Sequence, residues 1–261
     1  MPDPRTTIQP GSLLIQVINL DRSPDRLKRI GGRLDELGLV WERMPGLDGN
    51  QLDLHDPALI DRAEFARRHG KLPLPGELGC YLSHVRAVRR VMSSNARFGL
   101  ILEDDAVLGD SLPSVLAGLT HSDSDWDVVK FSGVHRGHPK RLRALDAHHD
   151  LVVMLTKCTA SSGYMINRQA ALVLGEGLLP MRIPFDHEFD RGWHWNLRVR
   201  YVHPYPIRHD QVVLSTINDE PHGRGTKFHW SRRLPAFGWR ARNEWSRLSY
   251  GLKAWLASGR S

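Results

Sequence analysis

The first forty residues leave the chain few folds to adopt. Leu13-Leu14-Ile15-Gln16-Val17-Ile18 is an almost unbroken apolar run, far too short for a membrane span and of the length of a strand buried on both faces. It runs into a polar turn, Asn19-Leu20-Asp21-Arg22. Ser23-Pro24 then supplies an N-cap and a first-turn proline, with Asp25 at the positive end of the helix. Leu27, Ile30, Leu34 and Leu37 follow at helical spacing, and Gly38 is placed to end the helix. A chain that opens strand, turn, helix commonly builds a parallel sheet whose ligands sit at the carboxyl ends of the strands.

The rest of the body continues the alternation. Residues 45–76 are rich in Pro, Gly, Asp and His and read as a surface excursion with a weak helix near 57–68. A stronger helix begins near Gly76, where Leu78, Tyr81, Leu82, Val85, Val88, Val91 and Met92 trace one apolar face. Phe98–Leu102, 127–131, 151–155 and 199–203 read as strands, a helix is expected over 168–174, and the basic, His-rich stretch between the second and third of these strands reads as loop. Strands alternating with helices predict an α/β sandwich around a mostly parallel sheet.

Charge divides the chain. Of 261 residues, 36 are Lys or Arg and 29 Asp or Glu, a formal +7. From Arg224 to the end there are nine basic residues and one acid, Glu244, so this segment carries +8 and residues 1–223 carry −1. The reading is a near-neutral body, 1–223, and a basic, Trp-rich tail, 224–261, and the overall basicity says nothing about what the body binds. Cys80 and Cys158 have neither metal-ligand spacing nor the density of a disulfide scaffold and read as buried free thiols. With no secretory leader or spanning run visible, a cytoplasmic location is expected.

Four segments carry groups able to do chemistry. Leu100-Ile101-Leu102 ends in Glu103-Asp104-Asp105, three carboxylates that repel one another unless a cation neutralises them. In an extended chain Glu103 and Asp105 point the same way and can share a hard ion such as Mn²⁺ or Mg²⁺, while Asp104 faces elsewhere. An acidic loop or helix start is the alternative. Asn19 to Arg22, with Arg26 one turn on, suits a nucleotide diphosphate or an ordinary Asx-type turn. Ser83 and His84 lie within a helix, where a lone His is commonly a satisfied interior residue; adjacent helix positions do not make a Ser-His nucleophilic pair. Asp186-His187-Glu188-Phe189-Asp190 holds candidates for a general base or metal ligand, or else a capped helix start.

Together, Val17-Ile18-Asn19-Leu20-Asp21-Arg22, Gly76-Glu77-Leu78-Gly79-Cys80-Tyr81-Leu82-Ser83-His84, Leu102-Glu103-Asp104-Asp105-Ala106, Ser162-Gly163-Tyr164-Met165-Ile166-Asn167, Pro184-Phe185-Asp186 and the 206–217 region resemble glycosyltransferase family 25. That family includes lipooligosaccharide and collagen galactosyltransferases. The resemblance implies a GT-A-like (Rossmann-like) fold and inverting transfer from a nucleotide sugar, usually UDP-galactose, with Mn²⁺ (or Mg²⁺). It places the metal at Glu103 and Asp105, with His203 or His209 as third ligand. The donor falls to Asn19, Leu20, Asp21, Arg22, Arg26, Ser83, His84 and Asp104. Asp186 is the expected base, with Glu188 and Asp190 in reserve. Phe185 stands where the family commonly has valine, so a different acceptor shape is expected. The acceptor would be a lipooligosaccharide, LPS-type or other glycan. A catalytically inactive nucleotide-sugar-binding module and a metal-dependent phosphohydrolase are the alternatives.

The tail reads as a basic amphipathic helix. Ala241, Trp245, Leu248, Leu252, Trp255 and Leu256 fall in one stripe, flanked by Arg240, Arg242, Arg247 and Lys253. Such a helix suits an anionic membrane surface, which would make the protein peripheral on the inner face; a helix docked on the body is the other reading. No nucleic-acid-binding motif accompanies the charge, so no nucleic-acid partner is expected. On this reading, deleting the tail should weaken membrane binding more than transfer.

Overall fold

A computed structural model describes residues 11–134, 137–209 and 228–259. Its strands are β1 (Leu13–Asn19), β2 (Glu42–Pro45), β3 (Phe98–Glu103), β4 (Ala106–Leu108), β5 (Val128–Lys130), β6 (Pro139–Ala144), β7 (Asp150–Met154), β8 (Gly163–Asn167), β9 (Val199–His203) and β10 (Ile207–His209). Its helices are α1 (Pro24–Glu36), α2 (Arg62–His69), α3 (Pro75–Ser93), α4 (Leu112–His121), α5 (Arg168–Gly177), α6 (Phe185–Glu188), α7 (Gly192–Trp195) and α8 (Leu234–Ser258).

Eight strands form one sheet in the order β2-β1-β3-β8-β5-β9-β7-β6, and β4 pairs with β10 in a small second sheet. The expected α/β sandwich is present, with a mixed sheet. β2, β1 and β3 run parallel, as do β5 and β9. β8 runs antiparallel between β3 and β5, and β6 and β7 make an antiparallel edge. β6 lies in the stretch expected to be loop. It is an edge strand whose Pro139, Lys140, Arg141 and Arg143 give no apolar alternation to read, and such residues also discourage pairing with another chain.

Pleat alternation divides the core in two. Leu100, Leu102, Val129, Met165 and Val202 join Ile30 and Leu34 of α1 and Val115, Leu116 and Leu119 of α4 on one face. Ile101, Val128, Ile166 and Tyr201 join α3, α5 and Phe65 of α2 on the other. Gln16, fully buried in β1, donates from Nε2 to the Ala87 carbonyl of α3 at 3.1 Å. α1 starts and ends as the sequence predicts, with Pro24 in the first turn and Gly38 at φ +69° beyond its end. Ser23, however, makes no side-chain cap; its carbonyl accepts from Asn19 Nδ2 at 2.8 Å instead.

Within the tail Leu234–Ser258 forms the expected helix, α8, and it is anchored to the body. Arg247 of α8 donates to Asp190 Oδ2, while Tyr201 donates to Asp190 Oδ1 and Lys130 Nζ lies 3.4 Å from the same oxygen. Both Asp190 and Lys130 are closed to solvent. Burial opposes the charge on Asp190, but Lys130 and Arg247 overcome it and hold the carboxyl below the usual range.

Candidate active site

A cleft of about 480 Å³ opens where β1 and β3 end, between the loop after β2 and the starts of α1, α3 and α6. That is where an open α/β sheet ordinarily binds its ligand. All three acids of the triplet line it. Glu103 continues the face of Ile101, towards α3: its Oε1 lies 3.3 Å from His84 Nε2 and accepts from Ser161 Oγ. Asp104 continues the face of Leu102, towards α1: its Oδ2 accepts from Asn19 Nδ2 at 2.7 Å and its Oδ1 lies 3.5 Å from Arg26. Burial lifts the Asp104 carboxyl above the ordinary range, against the pull of Asn19 and Arg26. The strand ends at Glu103 and Asp104-Asp105 form a turn, so Asp105 reaches the cleft from a turn, not from a continued strand.

The turn expected to take the donor is partly drawn into the cleft. Leu20, Arg22 and Arg26 line it, and Arg22 pairs with Asp48 across the entrance. Asn19 stands behind them, bridging Ser23, Asp104 and Arg43. Asp21 does not enter; its exposed carboxylate pairs with Arg43 on the outer side.

Ser83 and His84 lie on the buried face of α3 and reach the floor of the cleft. The Ser83 hydroxyl donates to the Gly79 carbonyl at 2.6 Å and accepts from the Leu47 amide at 2.8 Å. It therefore pins the 46–50 loop to the helix. The loop's composition reads as a surface excursion, yet Leu47, Asp48, Gly49 and Asn50 form one wall. The missed signal is in the glycines. A Cβ at Gly49 would sit 1.8 Å from the Pro75 carbonyl oxygen, and one at Gly79 would sit 2.6 Å from the Gly49 nitrogen, so loop and helix touch backbone to backbone.

His84 Nδ1 lies 3.0 Å from the Tyr164 hydroxyl, and its ring stacks on Phe185 at 4.2 Å and 5°. With Nε2–H donating to Glu103 and the Tyr164 hydroxyl donating to Nδ1, both ring nitrogens are satisfied. Cys80, one turn before His84, completes a set with Glu103 whose ligand atoms lie within 4.8 Å of one another. Burial, then Glu103, pushes the Cys80 thiol well above its usual range. Among the described residues Asp105, the expected partner of Glu103 in sharing an ion, is not part of this set, and the Glu103 carboxylate is its one hard oxygen ligand. The backbone of His209 pairs with Ala106, beside Asp105, but its side chain lies outside the described residues. His203 ends β9 with an exposed side chain, paired across the ladder with Asp150.

Of the three candidate bases, only Asp186 lines the cleft. Phe185, 3% exposed, packs among His84, Tyr164 and Phe189. Most of the bulk that replaces valine is thus absorbed by this aromatic cluster, and Asp186 is held at the first turn of α6. Glu188 and Asp190 are separated from it. Glu188 is buried against Arg191 at 2.8 Å, and Asp190 is closed between Lys130 and Arg247. Neither carboxylate lines the cleft, where the reserve role would need it.

A family model described as glycosyltransferase family 25 (LPS biosynthesis protein) matches residues 13–188. The chain belongs to glycosyltransferase family 25. A "Glycosyltransferase 25 family member" of Drosophila pseudoobscura pseudoobscura is 35% identical over 202 residues, 69% of this chain and 31% of that protein. One of Aedes aegypti is 30% identical over 184 residues, 66% and 29%. Procollagen galactosyltransferase 1 of Danio rerio is 25% identical over 134 residues, 48% and 22%. The family 25 chain thus spans less than a third of the length of these curated relatives. Among solved structures, A197 from STIV matches at TM-score 0.40 and 12% identity over 76% of this chain and 85% of that one. Membership of family 25 supports a glycosyltransferase.

Proposed function

We propose that this cleft transfers a hexosyl group from a nucleoside diphosphate sugar, UDP-galactose being the first candidate, to a hydroxyl of a glycan acceptor, with inversion. The observation that carries the reading is that one cleft contains the acidic strand end, the Arg22 and Arg26 side chains and the Asp186 carboxylate at the first turn of α6. Asp186 takes the proton of the acceptor hydroxyl; the oxygen bonds to the anomeric carbon as the sugar–phosphate bond breaks, and that electron pair leaves with the diphosphate. Arg22 and Arg26 put positive charge at the rim where the diphosphate develops its negative charge. Glu103 and Asp105 would hold Mn²⁺ or Mg²⁺, which supplies Lewis-acid charge to the leaving group when bound. Asp104 positions the donor side of the cleft through Asn19 and Arg26. A lipooligosaccharide or LPS-type glycan is the acceptor to try first, in view of the family's description, with a procollagen-type polypeptide beside it in view of the zebrafish relative.

The test is a panel of UDP-sugars with and without acceptors, with Mn²⁺ or EDTA, alongside Mn²⁺ binding measured directly on the wild type and on Glu103→Gln and Asp105→Asn. Asp186→Asn should lower kcat about 100-fold or more while leaving donor Kd unchanged. Donor binding without turnover would favour an inactive nucleotide-sugar-binding module, and phosphoester hydrolysis independent of acceptor a phosphohydrolase.

A further inference from the structure

Helix α8 is mounted inside out. At 100° per residue, Leu234, Phe237, Ala241, Trp245, Leu248, Leu252, Trp255 and Leu256 occupy one arc about 100° wide running the full length of the helix, about 37 Å. A surface helix ordinarily turns such a stripe to the core. Here the residues that dock, Ala236, Asn243, Arg247 and Gly251, are centred about 140° away on the wheel. Consequently Trp245 is 73% exposed, Leu234 and Leu256 59% each, and Leu248 and Leu252 only half-buried. Rolling the helix to bury the stripe would withdraw Arg247 from Asp190 and leave a solvent-free carboxylate short of a partner, a costly state. The outward orientation is therefore built in.

We propose that this outward face of α8 seats the protein on an anionic lipid surface. The charge around the stripe selects that occupant. Arg242 and Lys253 are exposed along one flank, Arg232 precedes the helix, and Lys140 of β6 lies 4.8 Å over the Trp255 ring. The lone acid of the helix, Glu244, lies 3.5 Å from Arg247. A second copy of the same face would bring like charges together, whereas anionic headgroups supply the missing counter-charge. Indole rings beside cations match the amphipathic headgroup layer. No described helix is long and apolar enough to cross a membrane, so the contact lies in the interface plane.

The experiment is co-sedimentation of the full chain with phosphatidylcholine vesicles and with vesicles containing added phosphatidylglycerol, together with Trp emission. The expected result is partition to the anionic vesicles only, with a blue shift, weakening as salt is raised. Arg242→Gln and Lys253→Gln should each lower the partition coefficient about fivefold. Trp245→Ala should lower it too, with an unchanged melting temperature, because these side chains are exposed. No partition to anionic vesicles, equal partition to neutral ones, or unaltered binding by Trp245→Ala would overturn the proposal. So would a concentration-dependent dimer that Trp245→Ala dissociates, which would assign the face to a second copy.

Discussion

His69 at the end of α2 and His187 in α6 meet edge to face, ring centroids 5.6 Å apart. Burial, reinforced by the His187 charge and by Lys71, Arg240 and Lys157, pulls His69 down to about 3. Burial also pulls His187 down to about 4, opposed by Asp186 and aided by Lys157. Unfolded, both would titrate near 6.5. Between about 4 and 6.5 the unfolded chain binds protons that the folded chain refuses, so stability rises with pH across that window and is lost as pH falls through it. Urea midpoints measured from pH 7 to pH 4 should decline, and the decline should flatten in a His69→Gln/His187→Gln double variant. An equal slope in that variant would place the titrating groups elsewhere. The same residue scale shows why Glu188 and Asp190 looked catalytic. A sequence shows three carboxylates and a histidine side by side, but the cations that occupy two of them sit at Arg191, Lys130 and Arg247, up to 60 residues away.

Among the elements, α8 behaves as part of the body. Truncating Arg247→Met or neutralising Asp190→Asn leaves buried charge uncompensated and should cost about 3–5 kcal/mol in urea denaturation, whereas the triple apolar replacement Lys130→Met/Asp190→Leu/Arg247→Met, which removes every charge of the cluster, should recover most of it. If either single variant is as stable as wild type, the cluster is not holding the helix. By the same reasoning, deleting the tail removes a partner of Asp190, so the deletion expected to separate membrane binding from transfer is not a clean one; surface substitutions on the stripe are. Elements with strong apolar periodicity were legible from the residues: β1, α1, α3, β3 and α8 fall close to where the pattern puts them. β6 was not, being polar and at an edge, nor was α4, whose Leu112, Val115, Leu116 and Leu119 lie in a stretch left unassigned. Of the cleft, the acid triplet and Asp186 were legible from residue type. The 46–50 wall was not, because its position depends on a backbone contact with a helix that begins 25 residues later.

At the scale of the whole molecule, the Arg247–Asp190–Lys130 cluster ties α8 to β5, which lies near the middle of the sheet, and Tyr250 adds a bond to the Leu197 carbonyl at 2.8 Å before β9. Amides of α8 around residues 243–251 should therefore exchange hydrogen with the same opening free energy as those of β9, as one cooperative unit. Faster exchange confined to α8 would show the helix detaching independently. Strand β3 ties the two sides of the sandwich together in another way. Glu103, its last residue, faces the α3 layer, and Asp104, the first residue of the turn that follows, faces the α1 layer. Inserting or deleting one residue in this strand would exchange the two, presenting an aspartate to His84 and a glutamate to Arg26, and would turn the apolar residues before them onto opposite layers as well. The strand's length is thus fixed modulo two, an arithmetic constraint that no substitution elsewhere in the cleft can relieve.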